Sequence, residues 1–119
     1  MANITLGDVQ KFLDEFKVKA RVFGIKYRDD RLKNSASMFA LGINMIVREK
    51  IIYSIQDIDY SNGPIANTLN DDGDLWVFGK DHSGVEIYIK ISLGANGAVC
   101  VSFHEAESPM SYPFKNQAE

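Results

Sequence analysis

Three features of this 119-residue sequence predict an α+β domain in which an antiparallel β-meander packs on N-terminal helices. Val9, Phe12, Leu13 and Phe16 recur at the i, i+3, i+4, i+7 spacing of one helix face. Val85, Ile87, Ile89 and Ile91, then Val99, Val101 and Phe103, alternate with more polar residues as half-buried strands do. The links "DHSG" and "LGANG" are short and contain glycine, which suits hairpins joining neighbouring antiparallel strands. Helices come first and the strands last, the order of an α+β chain.

Thr5 can cap the first helix from Leu6, with Asp8 three residues on as its reciprocal partner. "ARVFGIKYR" changes to period two and predicts a strand, and the charged "RDDRLKN" predicts a turn. A short helix is expected through "SASMFAL", stopped at Gly42. Asn44 can cap a third helix, in which Val47, Ile51, Ile55 and Ile58 face inward and Arg48, Glu49 and Lys50 face outward. "SNGP" ends that helix, and "IANTLNDDGD" reads as a loop. Strands follow over about 75–80, 85–92 and 98–104. The two prolines of "SPMSYPFKNQAE" keep it out of a central strand, although Tyr112 and Phe114 can pin it across the sheet edge. The boundaries are therefore one domain over residues 1–107 and an irregular tail over 108–119.

The composition, 45% hydrophobic and 24% charged, supports a folded core. One cysteine, Cys100, allows no intrachain disulfide and favours a reducing compartment. "MANITLGDVQKFL" has neither the cationic lead nor the apolar segment of a signal peptide, and no apolar run suits a membrane span. A soluble cytoplasmic protein is expected. The net charge of −3 is unevenly spread. Residues 1–50 hold ten Lys and Arg against six Asp and Glu, a local +4, whereas residues 51–119 hold three against ten, a local −7. The cations from Lys11 to Lys33 can draw a polyanion to one side of an acidic molecule. A solvated helix face followed by a charged turn is the competing explanation.

If the isoleucines of the second meander strand face the helices, Glu86, Tyr88, Lys90 and Ser92 face away from them. Cys100, Ser102 and His104 of the last strand join them by the same alternation. Trp76, Phe78 and Lys80 share one parity on the neighbouring strand, with their face left open. A phenol, an ammonium and an imidazole on one surface suit RNA cleavage by a ribose 2′-hydroxyl. That reaction needs a base, an acid and cationic help for the phosphorane charge. His104 is the acid or base, because imidazole titrates near neutrality. Tyr88 can donate a hydrogen bond, and Lys90, Lys80 or Arg28 can hold phosphate. The alternative is a merely wet sheet face with a histidine at a strand end.

No metal or cofactor is expected. In "NDDGD", placing Gly73 at the sixth position of a calcium loop puts Thr68 first and Gly79 twelfth, so the obligatory ligands are missing. One cysteine and two distant histidines make a poor zinc set. His82 lies in a hairpin link, Cys100 lies within a strand, and no phosphate-binding glycine motif is present.

"LGDVQKFL", "IIYSIQDIDYSNGP", "DLWVFGK", "VEIYIKI" and "VCVSFHEAE", taken in order and spacing, resemble bacterial toxins of the MqsR family. These toxins belong to type II toxin–antitoxin modules and to the wider RelE-like group of ribonucleases. The resemblance covers roughly Leu6 to Glu107 and points to a divergent branch with the ending "SFHEAE-x-PM-x-YPFK". It implies a RelE/MqsR-like fold, metal-independent and sequence-selective cleavage of mRNA, and neutralisation by a cognate antitoxin protein. The family's tyrosine and lysine in "Y-[LI]-K-I" fall on Tyr88 and Lys90. The basic residue after its "S-F" falls on His104. A functional glutamine falls on Val77, and a functional lysine falls near Ser61. A noncatalytic protein-interaction module on the same fold is the rival reading.

Overall fold

The computed structural model describes residues 3–67, 73–95 and 97–115. It is an α+β fold with three helices and a five-stranded mixed sheet. The elements are α1 (Leu6–Phe23), β1 (Ile25–Tyr27), α2 (Leu32–Leu41), α3 (Met45–Tyr53), a 3₁₀ turn (Asp57–Asp59), β2 (Tyr60–Ile65), β3 (Leu75–His82), β4 (Val85–Gly94) and β5 (Gly97–Glu105). Strand order across the sheet is β1-β5-β4-β3-β2. β3, β4 and β5 form the expected three-stranded meander, β2 adds a fourth antiparallel strand beside β3, and β1 pairs parallel to β5, with Ile25 opposite Ala98 and Tyr27 opposite Cys100. The purely antiparallel sheet is thereby corrected to a mixed one. No helix among the described residues is long and apolar enough to cross a membrane.

Helix α1 begins as its capping box dictates: Asp8 N–H donates to Thr5 Oγ1 at 3.1 Å and Thr5 N–H to Asp8 Oδ2 at 2.9 Å. It then runs through the first four residues, 20–23, of the segment whose alternation predicts a strand. Ala20 continues the buried stripe of Val9, Leu13 and Phe16 at helical spacing, so tertiary packing outweighs the local period. The helix stops where Gly24 takes φ 81°, leaving only three residues for β1. Gly42 ends α2 in the left-handed region, as expected.

Helix α3 is capped by Asn44 Oδ1, which accepts from Val47 N–H at 2.8 Å, but it ends at Tyr53. "YSNGPI", expected as a helix stop and loop, instead forms β2, an irregular partner of β3 with two register shifts. Arg48 is also corrected, from outward to buried. Its guanidinium stacks 3.6 Å from the Tyr27 ring centroid and pairs with Asp29 at 2.7 Å. Of the predicted loop over residues 65–74, 68–72 lie outside the described residues, as do residues 116–119 of the tail.

Helix α1 and the segment around Ile52 and Ile55 bury Phe78, Ile87, Ile89, Ile91 and Phe103 on one sheet face. Lys90 pairs with Ser102 and Ile91 with Cys100, so Val101 is an extra residue, a β-bulge. Beyond it the alternation of β5 reverses. Cys100, expected on the open face, belongs to the core with Ala98, while Val99 lies opposite Ser92. On its other edge β5 outruns the short β1, which ends opposite Cys100, and leaves rungs for α2 to complete. Asn34 Nδ2 donates to Val101 O at 3.0 Å, and Asn34 Oδ1 accepts from Phe103 N–H at 3.1 Å. Ser37 Oγ accepts from Glu105 N–H at 2.8 Å.

After β5 the chain turns back across the open face. Glu86 on β4 holds it twice, accepting from Met110 N–H at 3.1 Å and from Tyr112 Oη at 2.6 Å. Tyr112 lies over Gly79 of β3, where any Cβ would collide with its ring. Phe114 is buried 5.4 Å from the Tyr60 ring. Residues 108–115 therefore contain neither helix nor strand, yet they pack as part of the fold.

Candidate functional site

The open face of β4 and β5 is the floor of a groove of about 620 Å³. Tyr88, Lys90, Ser102 and His104 form the floor, and Ser61, Asn62 and Val77 extend it toward β2 and β3. Arg31 and Lys33, at the start of α2, line it together with Glu107 to Ser111 of the chain after β5. Val77 stands where the sequence resemblance implies a functional glutamine, and Ser61 near where it implies a functional lysine. Both line the same groove as Tyr88, Lys90 and His104.

Register brings the expected groups together. Tyr88 lies directly opposite His104, and their rings stack with centroids 5.1 Å apart and planes 12° apart. Lys90 lies two residues along the same face, about 7 Å of strand rise away, and opposite Ser102. His104 is buried, with Nδ1 2.9 Å from the carbonyl oxygen of Glu105. A carbonyl can only accept, so Nδ1 carries the hydrogen and the lone pair of the neutral ring sits on Nε2. The imidazole is thus fixed by its own backbone in the tautomer that can take a proton at Nε2.

Partial burial raises the Tyr88 pKa and keeps its phenol a donor. Burial also lowers the Lys90 pKa, and the nearby Arg31 charge adds to that shift. Lys90 has no hydrogen-bond or ion-pair partner among the described residues. The groove's carboxylate, Glu107, accepts from Lys33 Nζ at 2.8 Å; that bond, aided by the Lys33 charge, lowers its pKa. No group of three or more His, Cys, Asp or Glu among the described residues is placed to hold a metal ion.

Two of the expected RNA contacts lie elsewhere. Lys80 pairs with Ile87 in register and so shares the helix-facing side with Phe78 and Trp76. Its Nζ donates to Asp59 at 3.0 Å and to Ser54 O at 3.4 Å. The open parity of Trp76, Phe78 and Lys80 is thus resolved away from the groove. Arg28 follows β1, pairs with Asp30 at 3.1 Å and does not line the groove. The cations that do reach it from the basic segment are Arg31 and Lys33. Charge clustering marks that segment, but only the docking of α2 against β5 selects these two.

Against known protein families, curated proteins and solved structures, the chain has no match.

Proposed function

We propose that this protein is a toxin-like endoribonuclease, an mRNA interferase that cleaves RNA without a metal ion. The observation that carries this reading is the fixed His104 imidazole stacked on Tyr88 beside Lys90, in an open groove. His104 Nε2 takes the proton of a ribose 2′-hydroxyl as the 2′ oxygen bonds to phosphorus. The bond from phosphorus to the 5′ oxygen breaks, and the leaving oxygen takes a proton from the Lys90 ammonium. Burial makes that ammonium a stronger acid than an exposed lysine. Tyr88 donates a hydrogen bond to the phosphorane, and the products are a 2′,3′-cyclic phosphate and a free 5′-hydroxyl. Convergence of the family-matched positions on one groove supports a RelE/MqsR-like toxin acting in the cytoplasm. The exposed apolar side chains of Phe23, Leu32, Phe39 and Met45 give a neutralising antitoxin a surface to cover.

The protein incubated with an mRNA in the presence of a chelator should yield fragments ending in cyclic phosphate. His104→Ala should lower cleavage at least a hundredfold and relieve growth arrest, with an unchanged circular dichroism spectrum. Wild-type cleavage by a folded His104→Ala protein would remove the assignment. A noncatalytic interaction module is the second reading, favoured because Val77 and Ser61 bring no amide or charge to the groove. Neither growth arrest nor transcript cleavage on expression of the wild-type chain alone would favour it.

A further inference from the structure

Among the described residues three cations line the groove, and one of them, Lys33, has a carboxylate partner, Glu107, at 2.8 Å. The other two, Arg31 and Lys90, have none among the described residues. Arg31 is held instead by neutral acceptors: its Nη1 donates to Val101 O at 3.3 Å and Ser102 Oγ at 3.2 Å. Lys90 stands opposite the same Ser102 in register. The bulge at Val101 thus lets two positive side chains approach one serine from different elements.

We propose that Arg31 and Lys90 form a two-pronged oxyanion site centred above Ser102, which grips a phosphodiester of single-stranded RNA. The site deepens the ribonuclease reading and rests on it for the owner of the phosphate. Like charges in a half-buried groove repel, and the neighbouring Arg31 contributes to the destabilisation of the Lys90 ammonium. A bound anion relieves both costs at once. The groove's own carboxylate is not that anion, because Glu107 is engaged by Lys33. Arginine suits this position because bonds through Nη1 leave the Nη2 and Nε hydrogens for phosphate oxygens. Asn34 holds Val101 and Phe103 independently of Arg31, so the strand edge survives loss of the guanidinium.

Titration of the full chain with inorganic phosphate, followed by backbone amide shifts, tests the site. Shifts should centre on Lys90, Val101 and Ser102. Arg31→Gln and Lys90→Met should each weaken binding about tenfold or more, Arg31→Lys should restore part of it, and Lys26→Gln should change nothing. Unmoved amides of Phe103 and Glu105 in the variants would show that the edge is intact. In RNA cleavage, Arg31→Gln should lower kcat/KM at least tenfold, with Arg31→Lys intermediate. Wild-type phosphate affinity in Arg31→Gln, or shifts centred elsewhere, would overturn the site. Phosphate binding that depends on Arg31 without RNA cleavage by the wild type would leave the anion site standing and remove the ribonuclease reading. Full RNA cleavage by an Arg31→Gln protein that no longer binds phosphate would refute the assignment to RNA.

Discussion

Burial changes the proton affinity of Cys100 and Tyr27 in the same direction and for the same reason. The thiol of Cys100, within the core, is pushed from an ordinary 9.0 up to about 12. Tyr27, beneath the Arg48 guanidinium, is raised by burial from 10.0 to about 12. Both groups are neutral when protonated, so the folded chain keeps protons that the unfolded chain releases at lower pH. Their contribution to stability is full below about pH 9 and is lost as pH rises toward 12. Urea midpoints at pH 7, 9 and 10.5 should therefore fall in that order, and Cys100→Ala should flatten the first part of the decline. A thiol reagent at pH 9 should modify the native protein no faster than its opening allows. At this scale the sequence was readable in part. Tyr88, Lys90 and His104 converge because they lie on one side of the bulge and share one parity there. Cys100 lies on the other side of the extra residue, Val101, where the parity is reversed.

Among the elements, α2 serves the sheet more than the core. Asn34 is buried because it replaces a missing strand, giving a donor to Val101 and an acceptor to Phe103. Asn34→Ala should cost about 2–3 kcal/mol, the penalty for stranding buried polar groups, measured as a loss in urea unfolding free energy. Asn34→Asp, which keeps only the acceptor, should not recover the wild-type value. No local pattern announces such a role, since an asparagine in a helix reads as a solvent-facing residue. The boundary between α1 and β1 was hidden for a related reason: residues 20–27 satisfy period two, yet Ala20 also completes the α1 stripe and the core decides. Capping residues were legible because their chemistry is local. Thr5, Gly42 and Asn44 mark their helix ends as expected.

Across the whole molecule, the tail converts a sheet face into a groove by closing one side of it. Gly79 makes that closure possible, since Tyr112 occupies the space a side chain there would need. Gly79→Ala should displace Tyr112 from Glu86 and loosen residues 108–115, seen as faster amide exchange at Met110. Adding Tyr112→Ala should recover much of the stability lost, a coupling that a double-mutant cycle measures. The two prolines exclude the tail from the ladder, and its aromatics pin it, both visible in the sequence. That it walls the groove depends on Glu86, Gly79 and Tyr60 lying along one path over three strands, which only the assembled sheet defines.

The rungs that Asn34 and Ser37 complete also determine how this protein meets its own copies. A sheet rim with vacant amides is a template onto which another chain can zip. Here one rim is the three-residue β1 followed by helix side chains, and the other is β2, interrupted by register shifts and by Pro64. Neither offers a run of open rungs, so crowding should not drive fibre growth through these borders. Asn34→Ala would reopen one of them, and that variant should form thioflavin-binding aggregates at concentrations where the parent stays clear.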